Sequence, residues 1–212
     1  SRVSVFDVDL AGDIELREME PIAGEPITVD LRSVDSISGT IEITDHLAFD
    51  FGGSVLGDVR LEGVEVADPD LESFRFENAV FEGEADFKLA TFRFADFKRA
   101  ECRGELNFDR AVFRARADCH DLAVAGVTNL ERTTFEEPVV FDGSTFGGRV
   151  VAQEATFEGD ADFVDARFTR RATFDEARFR ADVDFGEATF EATASFCGAA
   201  FEGEANHVEQ NA

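Results

Sequence analysis

Tryptophan and tyrosine are both missing from this chain of 212 residues, although it holds 24 phenylalanines. Something therefore selects the phenyl ring that carries no polar handle. Lysine is nearly missing too. Lys88 and Lys98 stand alone, and arginine supplies the other 18 basic residues against 46 acidic ones. The resulting net charge of −26 argues against a protein that grips nucleic-acid phosphates or an anionic membrane surface, since both need clustered cations. Cysteine is scarce: three residues make no disulfide framework, and no pair has C-x-x-C spacing, so a reducing or indifferent compartment is expected. No stretch approaches the roughly eighteen apolar residues of a membrane span, and the N-terminus lacks a basic-then-apolar signal pattern. A soluble, cytoplasmic chain is the expectation. It starts at Ser1 rather than Met, and its repeat still runs a few residues before Ala212. Both features suit a piece of a longer polypeptide, with an anchor or partner domain elsewhere.

An apolar fraction of 44% is too large for a solvated tail. The preference for arginine over lysine, among crowded carboxylates, resembles proteins of salt-loving microbes, in which high salt screens mutual repulsion. Such a chain is expected to repel itself and lose stability in low salt.

The phenylalanines are periodic. From Phe157 they fall at Phe163, Phe168, Phe174, Phe179, Phe185, Phe190, Phe196 and Phe201, with steps alternating between six and five, and a small residue such as Ala161, Ala166 or Ala172 sits two places before each. Run backwards, the register reaches Phe76; 19 of the 25 slots from Phe76 to His207 hold Phe, which chance does not produce. One alternation is broken, as though a residue were missing near Arg93 to Ala95. Leu71, Val66, Leu61, Leu56 and Phe51 continue the pattern at steps of five. Such steps fit neither a helix nor a long strand. They fit a short extended A-x-F segment with both flanking side chains inward, followed by a corner. Gly83, Gly104, Gly143, Gly159, Gly186, Gly198 and Gly203 fall in the corners, where a residue tolerant of positive φ is expected.

Stretches such as Ala85-Asp86-Phe87, Ala95-Asp96-Phe97 and Ala161-Asp162-Phe163 resemble the pentapeptide-repeat family in its Phe-rich form, over about residues 51 to 207. The resemblance implies an all-β fold, a right-handed four-sided β-helix with four units per coil, so that residues 22 apart stack. One internal ladder then reads Phe76, Phe97, Cys119, Phe141, Phe163, Phe185 and His207. Before it, Val3-Ser4-Val5, Ile14-Glu15-Leu16 and Ile41-Glu42-Ile43 alternate like half-buried strands. Residues 1–50 are read as a β-rich N-terminal cap, and residues 51–212 as the β-helix.

No nucleophile elbow, P-loop or dinucleotide fingerprint occurs, and His46, His120 and His207 lack zinc-site spacing. No enzyme activity, cofactor or metal centre is expected. Cys102 and Cys119 fill core slots as small hydrophobes in different columns, whereas Cys197 faces out. The outward residue between the two inward ones is more informative. On the first side that row is Arg75, Asp96, Asp118, Val140, Asp162, Asp184 and Asn206, and carboxylates about 5 Å apart along it repel. Asp96, Asp118, Asp162 and Asp184 form a candidate acidic face, quieted by solvent cations or docked on a partner. The functional expectation is a non-catalytic structural or interaction module, a rigid acidic rod presenting faces to an unknown protein partner, without direct nucleic-acid contact. The resemblance also implies an alternative: some pentapeptide-repeat proteins mimic duplex DNA and inhibit type II topoisomerases.

Overall fold

The structure, a computed structural model, describes residues 50–61 and 74–206, together with the backbone of seven short strands between residues 2 and 50. His207, Leu71 and Val66 lie outside the described residues. Every regular element described is a strand of two or three residues, and each pairs in parallel with its counterpart one coil away. Four stacked sheets result, of ten, nine, nine and six strands, and the chain visits them in turn. The protein is therefore a four-sided β-helix, and Phe74 to Glu204 spans six complete turns. We number the sides 1 to 4 from Phe74–Arg75, Val80–Phe81, Ala85–Asp86 and Thr91–Phe92. No helix among the described residues is long and apolar enough to cross a membrane.

Stacking by 22 holds from the second of these turns onward. Ala95 pairs with Ala117, Ala117 with Val139, Val139 with Ala161 and Ala161 with Val183. The preceding interval is 21, from Phe74 to Ala95 and from Thr91 to Val112. The missing residue belongs to the corner between sides 4 and 1, where Arg93 and Phe94 span what Arg114, Ala115 and Arg116 span one coil later. Upstream of Phe74 the count changes again: Asp50 pairs with Arg75, and the Phe51 ring stacks on Phe76 at 5.3 Å, an interval of 25. That turn consumes five five-residue steps, so the four-unit coil of the sequence reading does not extend to Phe51. The strands of the first fifty residues join the same sheets. Arg2–Ser4, Thr28–Asp30 and Ala48–Asp50 add rungs to side 1, and Ile14–Leu16 and Ile41–Ile43 to side 3.

Both flanking residues of each A-x-F segment point inward because side chains alternate along a strand. Phe76, Phe97, Phe141, Phe163 and Phe185 are buried to 1% exposure or less. On side 1 Phe97 stacks on Phe76 at 4.9 Å, and Phe163 lies between Phe141 and Phe185 at 5.1 and 4.8 Å. Cys119 interrupts that column. Side 4 has no interruption: Phe92, Phe113, Phe135, Phe157, Phe179 and Phe201 are spaced by 4.8, 4.7, 5.2, 4.7 and 5.0 Å. These separations match the rung spacing of a sheet, about 4.8 Å, and rings on neighbouring sides meet edge to face, as Phe168 and Phe174 do at 79°. The absence of Tyr and Trp follows. A phenol or indole donor needs a partner when buried, and here the neighbouring backbone groups are already engaged rung to rung, as in Phe163 N–H to Asp184 O at 2.8 Å.

At two positions where a column lacks a ring the smaller inward slot is enlarged, whereas beside Cys102 and Cys119 it stays alanine, at Ala100 and Ala117. Val124 is accompanied by Leu122, and Ala152 by Val150, all buried. Three such slots hold hydroxyls in the middle coils. Thr133 Oγ1 donates to Phe108 O at 2.7 Å and Ser144 Oγ to Cys119 O at 2.7 Å, but Thr128 Oγ1 is buried with no partner among the described residues.

Corners alternate in kind. After sides 1 and 3 two residues make the turn, closed by bonds such as Ala100 N–H to Phe97 O at 3.0 Å, with the second residue left-handed. Ten of these left-handed residues are not glycine, among them Leu89, Arg110 and Glu176. After sides 2 and 4 the corner takes a third residue. The expectation that corner glycines supply positive φ holds at Gly143 and Gly198 and fails at Gly83, Gly104, Gly159, Gly186 and Gly203. Close approach explains several of these instead: a Cβ on Gly104 would lie 2.2 Å from Gly83 O, and one on Gly126 would lie 2.2 Å from Gly104 O.

Thr128→Val is expected to raise stability by about 1 kcal/mol, because an unpartnered buried hydroxyl is removed from a slot that already accepts valine elsewhere. The matching Thr133→Val is expected to cost about as much. Urea unfolding of the two variants checks both signs, and a destabilised Thr128→Val contradicts the assignment.

Candidate protein-interaction face

The interior is filled by side chains, so functional groups lie on the outside, in rows generated by the coil. Strand register places Asp96 beside Asp118, Asp118 beside Val140, Val140 beside Asp162 and Asp162 beside Asp184. The row of carboxylates is thus two adjacent pairs separated by a valine. Each of the four accepts a hydrogen bond through Oδ1 from the backbone N–H two residues on: Lys98 to Asp96 at 3.1 Å, His120 to Asp118 at 3.2 Å, Val164 to Asp162 at 2.9 Å and Gly186 to Asp184 at 2.7 Å. These are Asx turns that hold the corner after side 1. Side 3 does the same with Asp86, Asn107 and Asn129. The local reason for aspartate or asparagine between the inward residues is therefore the turn, and the charge is an addition to it.

That addition has a cost at Asp96. Burial pushes its carboxyl above the ordinary value, the Lys98 N–H opposes the shift, and Asp118 and Glu77 add repulsion that Arg75 partly offsets.

The corner after side 1 enlarges the acidic surface. From Asp118 to Glu187, side 1 and this corner carry Asp118, Asp121, Asp142, Asp162, Asp165, Asp184 and Glu187, with no lysine or arginine among them. His120 lies between two of these carboxylates, its Nε2 3.3 Å from Asp121 Oδ2 and its Nδ1 3.2 Å from Asp142 Oδ2. The sequence reading gives His120 no part in the acidic face and leaves out Asp121, Asp142, Asp165 and Glu187. The signal was available: the same interval of 22, applied to the corner residues, aligns them.

The cysteines are set apart from this surface. Burial, then Glu101, pushes the Cys102 thiol up to about 12, and burial, followed by Asp118, Asp96 and Cys102, pushes Cys119 well up. Both are free thiols held protonated. Cys197 is exposed, and its backbone N–H donates to Asp175 Oδ1 at 2.8 Å. No group of three or more His, Cys, Asp or Glu side chains suited to a metal ion gathers among the described residues.

Residues 124–167 and 163–206 match a family described as pentapeptide repeats (9 copies). The matched segment covers less than half of the chain, and the turns from Phe74 to Val124 continue its rung register and inward A-x-F pattern. No curated protein matches the chain in sequence.

Folding raises the Asp96 pKa, so protonation favours the folded state; the stability from this group is full below the ordinary carboxylate range and is lost as pH rises through the raised value. Asp96→Asn keeps the accepting oxygen and removes the charge, as Asn107 and Asn129 do on side 3. Thermal melts at neutral pH should show Asp96→Asn more stable than the parent and Asp96→Ala less stable. Equal losses in both variants would contradict the turn assignment.

Proposed function

We propose that the protein is a non-catalytic interaction module, a rigid rod whose side 1 and following corner bind a basic surface on a protein partner. The observation that carries this reading is the run of seven carboxylates from Asp118 to Glu187 uninterrupted by a cation. Four features support it. The backbone beneath is hydrogen-bonded rung to rung, so the charges are held at fixed intervals and little ordering entropy is lost on docking. The side 1 aspartates are oriented by their own turns. Charge of one sign steers association with a basic partner. The interior, closed by ring columns, leaves recognition to the exterior rows.

A basic surface built to hold DNA is one partner of this chemistry, which keeps type II topoisomerase inhibition as a specific version of the same proposal. The variant Asp121→Asn/Asp142→Asn/Asp165→Asn/Glu187→Gln changes the corner charges and leaves the Asx turns in place. Proteins retained by the immobilised parent at physiological ionic strength should be lost with this variant, and an unchanged set of retained proteins would refute the assignment of this face. In a gyrase supercoiling assay the topoisomerase version predicts inhibition by the parent and none by the variant; absence of inhibition by the parent at micromolar concentration removes that version.

A further inference from the structure

The corner between sides 2 and 3 carries a second pattern. Its last residue stacks through seven rungs as Asp58, Glu84, Glu105, Val127, Arg149, Arg171 and Thr193, an order fixed by the pairing of the residues that follow each: Val59 with Ala85, Ala85 with Leu106, Leu106 with Thr128, Thr128 with Val150, Val150 with Ala172 and Ala172 with Ala194. Over the five central rungs, from Glu84 to Arg171, two anions, an apolar centre and two cations lie in line. Within these five the order is antisymmetric about Val127.

This arrangement is unfavourable within one chain. Glu84 stands next to Glu105 and Arg149 next to Arg171, at the strand spacing of about 4.8 Å, so like charges repel along the row. Burial raises the Glu105 pKa, Glu84 and Asp86 raise it further, and Arg149 only partly offsets them. At other positions on the rod, oppositely charged residues of neighbouring coils do pair: Arg99 with Glu77 at 2.6 Å, Arg132 with Glu154 at 2.8 Å, and Arg180 with Glu158 at 3.2 Å. None of Glu84, Glu105, Arg149 and Arg171 makes a side-chain ion pair among the described residues; Arg149 and Arg171 are exposed, and Glu84, Glu105 and Val127 half-buried. The adjoining position is Gly83, Gly104, Gly126 and Gly148 in successive coils; at Gly83 the Asp58 carboxylate of the preceding rung takes the space, its Oδ1 accepting from Glu84 N–H at 2.9 Å.

We propose that this corner is the contact between two antiparallel copies of the chain, related by a two-fold axis passing at Val127. The rotation sets Glu105 against Arg149 of the other copy and Glu84 against Arg171, giving four opposite-charge pairs around Val127 facing its own symmetry mate, the self-complementary pattern a two-fold contact requires. The contact is separate from the acidic face on side 1, and its failure leaves that reading untouched.

Sedimentation equilibrium of the full chain at physiological salt tests it, since there a Debye length of about 8 Å screens the repulsion between two acidic rods more than the contact pairs. The parent should be a dimer. Glu84→Arg/Glu105→Arg makes the four charges flanking Val127 all cationic and Arg149→Glu/Arg171→Glu makes them all anionic; each alone should weaken the dimer by about tenfold or more. Mixed in equal amounts, the two variants should form a heterodimer of twice the monomer mass. Should a charge variant not fold, Val127→Cys in a Cys197→Ser background decides: mild oxidation should give a disulfide-linked dimer. A monomeric parent, dimers indifferent to either reversal, no heterodimer between folded variants, or a Val127→Cys protein that stays uncrosslinked would each overturn the proposal. A parent that instead binds a different protein through this row would overturn it as well.

Discussion

The fold depends on phenyl rings stacking at the spacing that parallel strands impose. A backbone that hydrogen-bonds rung to rung fixes the repeat near 4.8 Å, and the side 4 rings sit 4.7 to 5.2 Å apart, nearly parallel and fully consistent with that repeat. Geometry and hydrophobicity thus act in one direction. Each buried ring removes enough apolar surface from water to contribute about 1.5 to 3 kcal/mol, against the entropy of ordering the chain around it. Since each coil touches only its neighbours, stability accumulates along the rod, and the end is weaker: Phe190, Phe196 and Phe201 are only partly buried while Phe157 is fully so.

The core was legible because its residues are nearly identical in every coil. Phe at five- and six-residue steps names the inward column, and the single missing residue near Arg93 is visible as a lost step, although the steps alone do not say which corner it shortens. The exterior was legible in part. Asp96, Asp118, Asp162 and Asp184 could be aligned in a row, but their backbone partners could not, since an aspartate in a turn and one in a cation ladder look alike in one sequence. Corner glycines misled for a similar reason. Composition does not distinguish a glycine chosen for its φ, such as Gly143, from one chosen because a neighbouring carbonyl leaves no room, such as Gly104. The N-terminal strands were seen as strands, yet their stacking on sides 1 to 3 was hidden, because their intervals vary: Arg2 to Thr28, then Thr28 to Ala48, then Asp50 to Arg75.

The outside follows from the inside. Once each coil has four sides of fixed length, every outward position becomes a row, and the charge order along a row is free to vary without disturbing the core. Some rows bring opposite signs together, as at Arg132 and Glu154. Others gather one sign, as side 1 and its corner do from Asp118 to Glu187. A row of one sign costs electrostatic free energy in isolation and gains it back on meeting a complementary surface. More than half of the chain's net charge arises before residue 74, so the turns from Phe74 onward are closer to balance than −26 suggests, and the position of their charges matters more than the total.

Chemical denaturation of Phe157→Ala, measured beside Phe201→Ala, tests the ring column most directly. Phe157 lies inside the unbroken side 4 column between Phe135 and Phe179, and its loss should cost about 3 to 5 kcal/mol, whereas truncating the half-exposed Phe201 should cost far less. Similar small losses at both positions would contradict the claim that stacked phenylalanines hold the rod together.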